Sequence, residues 1–251
     1  MLHLYTFNIS HFSEKVRWAL DFEGLSYTES VLLPGPHMLV TRRLAPRTSV
    51  PVLVHDGHVV QGSGAILDYI VEQFGRDKLL PKNQTLAEAH ALELELDHAF
   101  GLGVQRVLYA YLLSERELMT ELWSFGGPKW ARAFYGVSYP AVAAVVKRMY
   151  KTTDAARVAQ ARQRFVSTFD SLDALLSKQP YLGGAAPSRL DITAAALLAP
   201  LCRPPQHRVP WPNELPESVR AFEAELRGRA TWNHVLHMYR EHRGSAARAD
   251  A

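Results

Sequence analysis

Three short stretches carry residue types that can do chemistry. The first is Ser10-His11-Phe12-Ser13, between an apolar run and an amphipathic segment. A helix N-terminus presents free N–H groups and a partial positive charge, which stabilise an anion, a thiolate included. A hydroxyl there can donate a hydrogen bond to a bound sulfur. A free thiol ionises near ~8.5, and each unit of lowering is worth ~1.4 kcal/mol. The bland alternative is that Ser10 and Ser13 only cap the helix. The second stretch is Thr48-Ser49-Val50-Pro51-Val52-Leu53. A proline entering a strand cannot donate to the ladder. A cis Val50–Pro51 bond would turn the Val50 backbone outward, as an edge that pairs with a peptide-like ligand. A trans proline would be an ordinary strand start. The third is Gln61-Gly62-Ser63-Gly64-Ala65-Ile66. Ser63 at a helix N-cap, with nearby N–H groups, suits a carboxylate, or simply caps. Gly62-Ser63-Gly64 is not a hydrolase nucleophile elbow, which needs Gly-x-Ser-x-Gly.

Position in the chain decides whether these stretches can meet. Leu2–Phe7 reads as a strand, and Phe12, Val16, Ala19 and Leu20 give the next segment helical spacing up to Gly24. Residues 26–33 read as a second strand, which favours parallel pairing through a right-handed crossover. A short helix over 37–44 follows. Val50–His55 and His58–Gln61 flank Asp56-Gly57, a two-residue hairpin signal. A helix from Ser63 carries Ala65, Ile66, Tyr69, Ile70 and Phe74. The order βαβαββα over residues 1–76 predicts a small mixed sheet covered by helices. After a linker at 75–83 everything reads as helical, so the fold class is α/β followed by all-α, with the second domain over 84–242.

Within that domain a long helix over 86–114 contains Gly101 and Gly103. Each interior glycine costs roughly 1 kcal/mol against alanine, so a kink or close packing is expected. Residues 115–150 are rich in aromatics (Trp123, Phe125, Trp130, Phe134, Tyr135, Tyr139), with interruptions expected at Gly126-Gly127-Pro128 and at Pro140. Thr153 or Asp154 is the predicted cap of a helix running to about Lys178. Ser188-Arg189-Leu190-Asp191 opens a buried helix over 192–201. Two more helices follow near 217–226 and 232–242, and the tail 243–251 is expected to be disordered.

Composition narrows the function classes. A net charge of +3 without a Lys/Arg run does not argue for nucleic acid. The single cysteine, Cys202, cannot form an internal disulfide, which fits a reducing, cytoplasmic setting. No apolar run reaches the ~18 residues of a membrane span. Glu95/His98 and His234/His237 share helix faces, but neither belongs to a set of three or four ligands, so no metal is expected.

The order and spacing of the three stretches resemble the glutathione transferase superfamily over about residues 1–242. Ser10-His11-Phe12-Ser13 stands at the redox-motif position of its thioredoxin-like domain, and Pro51 at the cis-proline. Ser188-Arg189-Leu190-Asp191 is similar to the capping box of its helical domain. The resemblance implies a co-substrate, glutathione, and a homodimer, with the helix beginning near Leu86 as the usual interface. It implies that Ser10 activates the thiol, that Val50 next to Pro51 pairs with the cysteinyl part, and that Ser63 holds the γ-glutamyl carboxylate. Gly62 occupies the usually acidic position that holds the ammonium group, with Gln61 adjacent and Asp97 of a partner subunit as a substitute. His11 replaces a common proline. The missing cysteines at 10 and 13 argue against thiol–disulfide exchange. Phe100, Arg106 and Tyr109 are the implied acceptor pocket, and segment 115–150 is either a lid over it or a packing extension or subunit interface. The implied reaction conjugates the glutathione thiolate to a hydrophobic electrophile. The alternatives are a non-catalytic binding or scaffolding module and a glutathione-dependent isomerase or lyase.

Overall fold

The computed structural model describes residues 1–75, 77–82, 84–212 and 214–243. β1 (Leu2–Thr6) pairs in parallel with β2 (Tyr27–Val31), and α1 (His11–Phe22) forms the crossover between them. β3 (Val52–His55) runs antiparallel to β1, and β4 (His58–Gln61) antiparallel to β3. The sheet order is β2-β1-β3-β4. Period-two alternation turns Leu2, Leu4 and Thr6 inward. Asp56 and Gly57 both have positive φ, as a tight hairpin turn requires. α2 (Met38–Leu44) follows β2, and α3 (Ser63–Phe74) follows β4. The predicted α/β layer followed by an all-helical unit is the observed architecture.

The helical part holds α4 (Leu86–Leu96), α5 (Gly103–Leu112), α6 (Arg116–Ser124), α7 (Ala131–Tyr150), α8 (Ala155–Leu176), α9 (Arg189–Cys202), α10 (Glu217–Leu226) and α11 (Ala230–Glu241). A π-helical turn, Asp97–Leu102, joins α4 to α5. The turn is closely packed. A Cβ on Gly101 would stand 2.3 Å from the Phe12 ring, so the ring of α1 occupies that space. Gly126-Gly127-Pro128 does separate α6 from α7. Pro140 does not interrupt: it lies inside α7. Proline leaves the carbonyl four residues back without its donor, and here the Gly136 carbonyl accepts from Arg116 instead. Asp154, not Thr153, caps α8, accepting from the Arg157 N–H at 3.1 Å.

α9 is buried along its whole length and opens with a capping box between Ser188 and Asp191. Phe100, Phe165 and Phe169 pack around it in one core with Ile192, Leu197 and Leu198. The far end of the chain returns to α1. Arg243, the first residue of the expected tail, is buried, donating to Glu14 at 2.7 Å and Asp21 at 2.8 Å. Its guanidinium lies over the Trp18 ring, and the Trp18 Nε1–H donates to the His242 carbonyl at 3.2 Å. Residues 244–251, the rest of that tail, lie outside the described residues. No described helix is long and apolar enough to cross a membrane.

Candidate functional site

Strand register gathers the three stretches at one end of the sheet. Tyr5 faces Val52, and Val52 faces Gln61. The chain leaving β1, the chain entering β3 and the chain leaving β4 therefore lie side by side. Adjacent strands are ~4.8 Å apart, so β1 and β4 lie about 10 Å apart across the sheet. That is the reach of an extended three-residue peptide.

Ser10 caps α1. Its oxygen accepts from the Ser13 N–H at 3.2 Å, and its own proton has no acceptor among the described residues. Ser13 is fully buried and its oxygen accepts from the Phe7 N–H at 3.3 Å, so it is closed into the turn. His11 is buried and donates Nε2–H to the Gly101 carbonyl at 3.2 Å. Burial drives its pKa down to about 3, despite that carbonyl, with His207 and Lys15 adding to the fall. The imidazole beside Ser10 is thus neutral near pH 7 and fastens α1 to the π turn.

The Val50–Pro51 bond is cis. Neither the N–H nor the carbonyl of Val50 has a partner among the described residues. The Gly62 N–H donates to the Pro51 carbonyl at 3.1 Å. The Gln61 amide is occupied: its oxygen accepts from the Arg47 N–H at 3.1 Å, and its nitrogen donates to the Arg47 and Ser49 carbonyls at 2.7 and 2.8 Å. Gln61 thus shapes the loop ahead of Pro51 rather than facing a ligand. Gly62, not Ser63, is the cap residue of α3. Its φ of 104° lies where only glycine is comfortable. Ser63 is the first helical residue, buried, with no partner for its hydroxyl among the described residues.

Behind α3 lies an ion network that no local pattern in the sequence announces. Lys15 Nζ stands 2.6 Å from Glu93 and 2.7 Å from Asp97. Arg189 pairs with Glu93 and, at 2.7 Å, with Asp68, which also holds His90 at 2.6 Å. Arg189 further donates to the Gly64 carbonyl at 3.4 Å, tying α9 to the start of α3. Burial pushes the Glu93 carboxyl up, but Lys15 and Arg189 more than reverse it, so it stays below its usual range. Asp97, offered above as a ligand group from a partner subunit, is bound here to the Lys15 of its own chain. A second network lies nearer the sheet. Arg17, fully buried, donates to Thr6 at 2.8 Å and to the Phe7 carbonyl at 3.1 Å and pairs with Glu29 at 2.5 Å. Glu-Lys-x-Arg at 14–17 reads as a solvated face. Only its distant partners make it interior.

The acceptor-pocket residues do not converge. Phe100 is fully buried against Phe165 and Phe169, ring centroids 5.0 and 5.6 Å away, inside the helical core. Arg106 donates to the Tyr150 carbonyl at 2.8 Å at the end of α7, and Tyr109 packs on the Tyr150 ring at 5.0 Å. Segment 115–150 packs partly inward and partly against the sheet layer. Trp123, Tyr135 and Tyr139 pack inward, while the α6–α7 turn lies on the loop between β1 and Ser10. Asn8 donates to the Phe125 carbonyl at 3.1 Å, and the Tyr135 hydroxyl to the Pro34 carbonyl at 2.6 Å. Gly126, at φ 69°, lets this happen: a Cβ there would stand 2.0 Å from the Asn8 amide nitrogen. His234 is paired with Asp191 at 3.0 Å, and the described residues hold no cluster of three or more metal-ligating side chains.

Residues 4–78 match the family model of the glutathione S-transferase N-terminal domain, and residues 155–225 that of its C-terminal domain. Glutathione S-transferase 1 of Dianthus caryophyllus is 36% identical over 85 residues, which is 33% of this chain and 38% of that protein. A probable glutathione S-transferase of Solanum tuberosum is 35% identical over 77 residues, 30% of this chain and 35% of that one. The chain thus spans little more than a third of these relatives. Among solved structures, a glutathione S-transferase of Ceriporiopsis subvermispora in complex with glutathione superposes with a TM-score of 0.65 at 15% identity, covering 100% of this chain and 99% of that one. The β-etherase LigF of Sphingobium gives 0.62 at 21% identity, covering 94% and 98%. At these identities the likeness is one of fold.

Proposed function

Since the chain belongs to the glutathione transferase superfamily, we propose that it binds glutathione across the end of its sheet and transfers the thiolate to a hydrophobic electrophile. The cysteinyl backbone pairs with the Val50 edge beside Pro51, and the γ-glutamyl carboxylate sits at Ser63 and the free N–H groups of α3. The sulfur lies at the N-terminus of α1, where Ser10 donates to it. The thiol proton leaves to solvent. The thiolate then attacks an electrophilic carbon, and the leaving group departs with the bonding pair. The protein contributes proximity and thiolate stabilisation. The supporting observation is the strand register, which sets a free hydroxyl proton, a free backbone edge and a helix N-terminus in a row about 10 Å long. The assembly we expect is a homodimer in the cytoplasm, with a detoxifying role.

Ser10→Ala tests this with two readouts. Loss of the cap costs ~1 kcal/mol of stability whatever the function. Loss of the sulfur's donor raises the thiol pKa by about one unit, worth ~1.4 kcal/mol, and moves the pH–rate profile of aryl-halide conjugation to higher pH. A profile that does not move removes Ser10 from the mechanism.

One observation favours a second reading, a non-catalytic binding module: α7 exposes Val137, Val145 and Met149, with Trp130 and Phe134 exposed just before and within it. Retention on immobilised glutathione and calorimetry separate the two. No binding at millimolar glutathione favours the module. A glutathione-dependent isomerase or lyase would use the same thiolate, and substrate screening distinguishes it from transfer.

A further inference from the structure

The carboxylate end of the proposed site has an unusual balance of charge. Glutathione presents both a carboxylate and an ammonium on its γ-glutamyl carbon. The ammonium needs an acid, and each carboxylate described near the start of α3 already has a cationic lysine or arginine beside it. Asp68 is held by Arg189 and His90, Glu93 by Lys15 and Arg189, and Asp97 by Lys15. Glu93 lies directly behind the helix start, 3.2 Å from where a Cβ of Gly64 would be, yet both its cations are fully buried. Gly62 brings no side chain, and the Gln61 amide is occupied by the loop it fastens.

The free groups here are donors. Ser63, 6% exposed, has no partner for its hydroxyl among the described residues. The N–H groups of the first turn of α3 have no partner among the described residues, as at any helix start. Arg47 stands beside them. A Cβ on Gly62 would lie 3.7 Å from Arg47 Nη2, and that guanidinium has no partner among the described residues. Gly62 is thus an open backbone position with an arginine over it. A ligand ammonium placed there meets a like charge, whereas a ligand carboxylate meets a hydroxyl, N–H groups and a guanidinium fork.

Resting on the glutathione-site reading above, we infer that this site selects a γ-glutamyl-type thiol whose α-ammonium is absent or acylated, in preference to glutathione. Ser63 and α3 hold its carboxylate, and Arg47 both attracts that carboxylate and excludes the zwitterion.

Calorimetry on the full chain tests it with three ligands: glutathione, deaminoglutathione and N-acetylglutathione. The wild type is expected to bind deaminoglutathione at least ~10-fold more tightly than glutathione, with N-acetylglutathione also ahead. Arg47→Gln brings the ratio towards one. Arg47→Glu reverses it by supplying the missing acid. Arg47 is exposed, so both variants are expected to melt with the wild type, which a thermal scan verifies. Glutathione binding as tightly as its deamino form, or a ratio unmoved by Arg47→Glu, overturns the selectivity and leaves the glutathione site standing. Failure of all three thiols to bind overturns both.

Discussion

Lys15 offers an internal control on what a buried ion pair is worth. It holds two carboxylates at almost the same distance, Glu93 at 2.6 Å and Asp97 at 2.7 Å. Glu93 is 1% exposed and shared with Arg189, whereas the Asp97 side chain is 13% exposed and has no second such partner among the described residues. Burial raises both. For Glu93 the two cations outweigh burial and its carboxyl ends below the ordinary range. For Asp97 burial outweighs Lys15, Glu93 adds to the rise, and its carboxyl ends above. A lowered acid stabilises the fold above its unfolded pKa, and that contribution is lost as pH falls through the folded value. A raised acid does the reverse and is a cost at neutral pH. Glu93→Gln leaves Lys15 and Arg189 buried with one carboxylate each and is expected to cost ~3–5 kcal/mol at pH 7. In a chain of this size that lowers Tm by roughly 6–20 °C. Asp97→Asn keeps an oxygen for Lys15 and removes the costly charge, so it is expected to lie within about 1 kcal/mol of wild type, on the stabilising side. Denaturant titration at neutral pH, with Tm scans down to acid pH, reads both. The Glu93→Gln deficit shrinks on acidification. Equal losses in the two variants, or a larger loss in Asp97→Asn, would refute the reasoning.

Gly126→Ala drives a methyl into Asn8 and forces a positive φ on alanine, so the α6–α7 turn lifts off the Ser10 loop. Hydrogen exchange over 125–130 is expected to rise with a loss of about 1–3 kcal/mol, and unchanged protection there counts against this packing. Arg116→Met leaves the Gly136 carbonyl to water and costs about 1 kcal/mol or less. Adding Pro140→Ala, which restores a donor for that carbonyl, recovers the loss in a melting experiment, whereas no recovery breaks the link. His11, pushed down to about 3 by burial, contributes no charge change between about pH 5 and 8. Its imidazole chemical shift stays flat across that range, and a midpoint above pH 5 contradicts the buried placement.

Local signals carried most of the framework. Asp56-Gly57 marks a hairpin because few residue pairs tolerate two positive φ values. Ser188 and Asp191 mark a helix start because the box satisfies two donors within four residues. Gly101 announces close packing, though not that a ring of α1 fills the gap. The failures share a cause: their partners are distant in sequence. Pro140 looks like a break until Arg116 is seen to serve the orphaned carbonyl. Phe100 has the chemistry of a pocket wall, but two phenylalanines of α8 enclose it. Glu14, Lys15 and Arg17 resemble any solvent-facing run, since nothing nearby names Arg243, Glu93 or Glu29 as partners.

The clasp of Arg243 on Glu14 and Asp21 sets a timetable. Asp21 and Arg243 are 222 positions apart. At ~5–20 residues per second on the ribosome, roughly 10–45 s separate their synthesis. For that interval Asp21 has no guanidinium to meet it, Glu14 has only Arg17, 3.8 Å away on the same helix, and Trp18 lacks its cover. The contacts that Arg243 makes with α1 therefore form only after α11 has emerged, long after the sheet's own stretch of chain is complete.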